Sequence, residues 1–174
     1  MRIAAKSSAL LPIGGALLAA VLLSASTEPT VHVAPMDSVG PREVEDQTKT
    51  GVIRDYLLGW KTMNEALTQN RADLLDSTFV GKAKEKLAKT VQEQKKIGIQ
   101  TSYLPTSHDI KVVFYSPEGL SIQLFDNVEY DVDVKKDGQT IGSQHIRARY
   151  VAVLSPTETK WKVRVFQGGA AFKD

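Results

Sequence analysis

The apolar pattern predicts an α+β domain: N-terminal helices packed on a curved antiparallel sheet of four to five strands. Three observations carry this. From about residue 46 to 97 apolar residues recur every three or four positions, the helical period. After Gly98 the period drops to two, the period of a half-buried strand. Turn signals at Ser116-Pro117-Glu118-Gly119, Lys136-Asp137-Gly138 and Pro156–Thr159 then divide this second half into successive strands.

The first helix is expected from about Glu45 to Gln69. Ile53, Tyr56, Leu57, Trp60, Met63 and Leu67 fall on one of its faces. Asn70-Arg71-Ala72-Asp73 breaks the period, and a short helical turn follows around Leu74 and Leu75. A second helix runs from about Val80 to Ile97, with Ala83, Leu87 and Val91 on its apolar line. Gly98 suits the left-handed position that closes a helix. Lys95 and Lys96 suit its last turn, where the helix dipole favours cations. The six lysines of this helix read as a solvated outer face.

Ile99 to Leu104 reads as a short strand ended by Pro105. Ile110, Val112 and Phe114 mark a second strand. The clearest alternation follows. Leu120, Ile122, Leu124, Val128, Tyr130, Val132 and Val134 are even, while Ser121, Gln123, Asn127, Glu129, Asp131 and Asp133 are odd. Ile146, Ala148, Tyr150, Ala152 and Leu154 in the partner strand are even again. A two-residue turn at Asp137-Gly138 pairs even with odd, so a three-residue loop with its bulge is expected. The last strand begins Trp161-Lys162-Val163, with Trp161, Val163 and Val165 expected to face the core. One apolar sheet face needs cover, and the helices supply it.

Residues 1–26 have the grammar of a signal peptide. Arg2 and Lys6 precede an uncharged run over 9–23, and Ser24-Ala25-Ser26 offers small residues for cleavage. An uncleaved membrane anchor is the other reading, since residues 7–26 form about 30 Å of helix. Both place the domain outside the cytoplasm, exported to a periplasmic or extracellular space or held at the membrane. Residues 27–45, with Pro29, Pro35 and Pro41, read as a flexible linker. Residues 46–167 form the domain and 168–174 a tail.

Arg2 and Lys6 carry the whole net charge of +2. The remaining chain is formally neutral, with 20 basic and 20 acidic residues, which argues against a nucleic-acid partner. The absence of cysteine removes disulfides, thiolate metal sites, thiol nucleophiles and a cysteine-linked lipid anchor. No histidines fall at metal-ligand spacing and no phosphate-binding glycine loop is present, so no metal or other cofactor is expected.

The long helix with Tyr56 and Trp60, the second helix ending at Gly98, the long hairpin and the final strand opening on Trp161 together resemble the nuclear transport factor 2-like superfamily over about residues 46–167. The resemblance rests on architecture and implies a cone, with a curved sheet wrapped around helices and a frequent tendency to dimerise. The superfamily includes transport factors, isomerase- and cyclase-like enzymes and membrane-tethered scaffolds, so the fold does not select the function.

Two surfaces are candidates. The cone implied by the resemblance is lined by Tyr56, Trp60, Phe114, Asp126 and Tyr130, and offers a place for a small apolar ligand. Asp126 has the inward parity and is a candidate general base; a double bulge at Phe125-Asp126-Asn127 is the alternative, turning it to solvent. His108-Asp109 reads as a turn leading into a strand, because adjacent strand residues point to opposite faces. The outward parity gathers Phe125, Val151, Val153 and Phe166 beside Arg147, Arg149 and Arg164. That is the pattern of an interface for a protein partner or a homodimer, or of scattered surface residues covered by linker or tail. The expected function is non-catalytic: an exported or membrane-tethered binding and scaffolding domain acting through its cone or outer sheet face. The alternative is a small-molecule enzyme with Asp126 as its pocket base.

Overall fold

The computed structural model describes residues 28–36 and 40–170. Residues 1–26, expected to be a signal peptide or a membrane anchor, lie outside the described residues. Among these, no helix is long and apolar enough to cross a membrane. The order is strand β1 (Thr30–Val33), helix α1 (Asp46–Gln69), a 3-10 segment (Ala72–Ser77), helix α2 (Gly81–Lys96), and strands β2 (Ile99–Tyr115), β3 (Ile122–Lys136), β4 (Gln139–Pro156) and β5 (Trp161–Ala170). The strands form one five-stranded open sheet in chain order. β1 runs parallel to β2 and every other pairing is antiparallel. The α+β architecture holds, as a mixed sheet not closed into a barrel and consistent with a cone-like fold.

The buried stripe of α1 is Val52, Tyr56, Gly59, Trp60, Met63, Ala66 and Leu67, the expected spacing of three and four. Asn70 ends it in the left-handed conformation, and the Arg71 N–H reaches back to the Ala66 carbonyl at 2.9 Å. Gly98 (φ 71°) takes the left-handed position after α2. Buried Gln94 donates to the Leu67 carbonyl and to Asn70 Oδ1, joining the C-terminal ends of the two helices. Asn64 caps the edge of β2, where its Oδ1 accepts the Tyr103 N–H at 2.8 Å.

β3 keeps its even residues inward throughout, with Ile122, Leu124, Asp126, Val128 and Tyr130 all buried. Its neighbours reach the same core through bulges, and there the expectations need correction. β2 is one strand, not two. A register shift between Pro105 and Ser107 accommodates the proline, which has no N–H to give the ladder. A second shift between Val112 and Phe114 turns Phe114 outward and brings Tyr115 into the core. Leu120 belongs to the preceding turn and is exposed. The β3–β4 connection is a two-residue turn, with Asp137 (φ 49°) and Gly138 (φ 78°) both left-handed and Lys136 facing Gln139. The even-to-even pairing is restored next to it, by a bulge that leaves Ile141 unpaired. In β5, Arg164 is the extra residue between Val163 and Val165. Val163 therefore faces inward with Leu154, Val165 faces outward with Val153, and Phe166 returns to the core.

The linker reading of residues 27–45 also needs correction. Thr30–Val33 pair with Ser107–Ile110, and Met36 and Val44 are buried. The short run Val31-His32-Val33 sits against an otherwise open strand edge, satisfying backbone groups that would form an aggregation-prone rim.

Candidate functional site

Three polar side chains meet inside the sheet's concave face. Tyr56 comes from the buried stripe of α1, one turn before Trp60. Asp126 comes from the even parity of β3. His108 comes from the stretch of β2 between its two bulges, where even residues face inward. In the β2–β3 register, Asp126 lies opposite Ile110 and His108 opposite Val128. His108 and Asp126 are thus diagonal neighbours on one face, within side-chain reach. The Tyr56 hydroxyl donates to Asp126 Oδ2 at 2.8 Å, and His108 Nδ1 lies 2.7 Å from the same oxygen. The tautomer with a proton on Nδ1 makes His108 the second donor. Asp126 Oδ1 is buried and has no hydrogen-bond partner among the described residues.

Burial holds the Tyr56 hydroxyl well above the usual tyrosine range. The nearby negative charge of Asp126 adds to the effect, and the Trp60 indole opposes it. Tyr56 therefore remains a donor at all ordinary pH. The Trp60 indole nitrogen is buried and has no hydrogen-bond partner among the described residues.

An aromatic cluster closes the site. The Trp60 ring lies 4.9 Å from Tyr150, 5.4 Å from both His108 and Phe166, and 5.7 Å from Tyr130, centroid to centroid. Edge-on and tilted contacts of this kind add to the stabilisation from apolar burial. The Tyr130 and Tyr150 hydroxyls are 3.2 Å apart. Burial raises Tyr150 far above its ordinary value, so its hydroxyl also stays protonated. Asp126 and Tyr56 are 0% exposed, and His108 and Trp60 are 2%. As packed, neither carboxylate oxygen can meet a diffusing substrate. A proton could be exchanged with one only if the aromatic cluster opened.

Of the residues assigned to the cone, Tyr56, Trp60, Asp126 and Tyr130 come together and Phe114 does not, because the Val112–Phe114 bulge turns it out to 39% exposure. His108, read as part of a turn, is a buried strand residue. Its even parity with Ile110 and Val112 was the available signal. Tyr150, expected only as one of the even residues of the partner strand, joins the same cluster.

On the outer face, Phe125 lies opposite Val151 and Val153 opposite Val165, and all four are half-buried. Phe166 does not belong there. Arg147 pairs with Glu129 at 2.9 Å, and Arg149 donates to Asn127 at 2.7 Å. A cleft of about 260 Å³ crosses this face beside Phe125 and Arg149. A larger cleft, about 630 Å³, lies between the start of α1 and the β4–β5 turn. Asp126 lines neither. Among the described residues, no group of three or more His, Asp or Glu is arranged to hold a metal ion.

No family model matches this chain, and no curated protein does. Solved structures do. The intermembrane space region of the chloroplast protein ARC6 superposes with a TM-score of 0.59 at 12% identity, covering 75% of this chain and 100% of that one. A variant of Rd1NTF2_05 aligns at 16% identity over 70% of this chain and 99% of its own, with a TM-score of 0.35, too low to bear on the fold. At such identities the likeness to the ARC6 region is one of fold alone.

Proposed function

We propose that the chain is a nuclear transport factor 2-like domain, exported or membrane-tethered, that binds and scaffolds without catalysis. The observation that carries this reading is the filling of the concave face. Trp60, Tyr130, Tyr150 and Phe166 occupy the place where a substrate pocket would lie, and Asp126 is sealed behind them. Binding then falls to the outer sheet face, where Phe125, Val151, Val153 and Val165 form an apolar strip beside Arg147 and Arg149. The occupant of that face is a protein partner or a second copy of the chain, and the membrane is reached through the N-terminal segment if that stays uncleaved.

The test is the double substitution Val151→Asp and Val165→Asp, both outside the core. Sedimentation of the full chain and variant measures self-association, and affinity capture measures partner binding. Loss of assembly with the folded spectrum retained is expected. Assembly unchanged in a folded variant would remove the outer face from the proposal.

A second reading is kept by one observation: two donors converge on a buried carboxyl whose other oxygen is unpartnered. It is an isomerase- or cyclase-like enzyme with Asp126 as base. That reading requires the interior to open, so acrylamide should quench Trp60 efficiently in a Trp161→Phe background. A Trp60 shielded from quencher supports the scaffold.

A further inference from the structure

The cleft of about 630 Å³ between α1 and the β4–β5 turn falls within the size range of small-molecule sites. Its chemistry is independent of the outer-face reading. α1 contributes Gly51, Arg54 and Asp55 to the cleft, and the turn side contributes Thr157, Lys160 and Trp161.

The floor is a built polar arrangement. Asp55 is 2% exposed, although a carboxylate at this depth is costly unless paired. Its Oδ2 accepts the Trp161 backbone N–H at 2.7 Å, which ties α1 to the start of β5. Its Oδ1 accepts Arg54 Nε–H at 2.8 Å. That bond fixes the guanidinium by its inner nitrogen and leaves its two terminal amino groups without a partner among the described residues. The hydrogen bond to Asp55, and then its charge, raise Arg54 above its ordinary value, so the fork stays charged. Lys160 lines the cleft as a second cation, and its ammonium has no ion-pair partner among the described residues. The one other carboxylate on the rim, Asp46, is paired with Lys49 at 3.3 Å.

Gly51 completes the arrangement. A glycine inside a helix is destabilising relative to alanine. Here it is not required by crowding. A Cβ would stand 3.8 Å from Trp161 Cδ1 and Nε1, an ordinary contact. What the missing side chain provides is access to the N–H edge of the Trp161 indole. Donors from Arg54, Lys160 and Trp161 thus border one cleft, beside the Trp161 ring.

We infer that this cleft binds a small organic carboxylate, the carboxylate held by the Arg54 fork and its apolar part laid on Trp161. A planar guanidinium is suited to two-point binding of a carboxylate. A free acid and an acid that ends a longer molecule share this chemistry, a carboxylate beside a flat apolar group.

Amide and indole N–H resonances of the full chain provide the test, with phenylacetate, phenylacetamide and inorganic phosphate as probes. Phenylacetate is expected to shift the signals of Gly51, Arg54, Lys160 and the Trp161 indole. Phenylacetamide, lacking the charge, is expected to bind about tenfold more weakly or worse, as is phenylacetate to Arg54→Gln. Gly51→Leu, which fills the floor, is expected to abolish the shifts. Gly51→Ala is expected to narrow the cleft and weaken binding while leaving the thermal midpoint equal to or above that of the parent, which separates binding from folding. No shifts with phenylacetate, equal binding of acid and amide, or unchanged binding by the folded Gly51→Ala and Gly51→Leu chains would each overturn the inference. Equal shifts from inorganic phosphate would remove the organic part from it. None of these outcomes touches the outer face, so the two proposals fail separately.

Discussion

Removing the Tyr56 hydroxyl isolates one bond of the buried network. Tyr56→Phe keeps the ring, which packs against His108 and Phe166 with centroids 6.5 Å away in both cases. It deletes the 2.8 Å donation to Asp126 Oδ2 and leaves His108 as the only donor to that carboxyl among the described residues. A hydrogen bond to a charged group contributes about 1.5–3 kcal/mol, and the site is fully buried, so a loss in that range is expected. Asp126→Ala goes further. It strands the Tyr56 hydroxyl and the His108 ring nitrogen in an apolar interior and should cost about 3–5 kcal/mol. In that background Tyr56→Phe removes an already stranded hydroxyl and should cost less than about 0.5 kcal/mol, or even stabilise. The coupling energy across the cycle is then about 1–3 kcal/mol, beyond the non-additivity of independent sites. Urea unfolding followed by circular dichroism measures all four chains, with an unchanged denaturant slope as the control for two-state behaviour. Additive single effects, or a Tyr56→Phe cost below about 0.5 kcal/mol, would refute the claim that this bond helps hold α1 onto the sheet.

Two further outcomes follow from the same interior. Burial raises Tyr56, Tyr103 and Tyr150 above the ordinary tyrosine value, so the folded chain keeps protons that the unfolded chain has lost. Their contribution to stability is complete below about pH 10 and falls as pH rises beyond it; tyrosinate absorbance from these residues should appear together with the loss of folded circular dichroism, and ionisation of all five tyrosines in a still-folded chain would contradict it. Gly168 is packed under Tyr150, where a Cβ would lie 2.8 Å from the ring carbon that bears the hydroxyl; Gly168→Ala should displace Tyr150, break the Tyr130–Tyr150 contact and destabilise by about 1–3 kcal/mol, read by thermal unfolding and by exposure of Trp60 to quencher.

Much of this architecture was open to reading because its determinants are local. The stripe from Val52 to Leu67 states the face of α1, Asn70 and Gly98 state where helices stop, and the even residues of β3 state which side of the sheet is wet. Each depends on spacing or on one backbone conformation, so neighbouring residues suffice. The inward direction of Asp126 belongs to that group, since β3 runs without a bulge from Ile122 to Lys136 and its parity never slips.

The bulges were decided by the tertiary structure. Each inserts one residue so that a strand can follow a bent neighbour, and alternation carries no information across it. That is why Phe114 turned out, Tyr115 turned in, and Phe166 moved from the expected interface into the cluster around Trp60. The pairing of Thr30–Val33 with β2 is equally nonlocal, because a four-residue strand gains its stability only from the edge it covers. The meeting of Tyr56, His108 and Asp126 was decided in the same way. Chain distance separates Tyr56 from Asp126, and only the packing of α1 into the concave sheet brings a hydroxyl, an imidazole and a carboxyl to one oxygen.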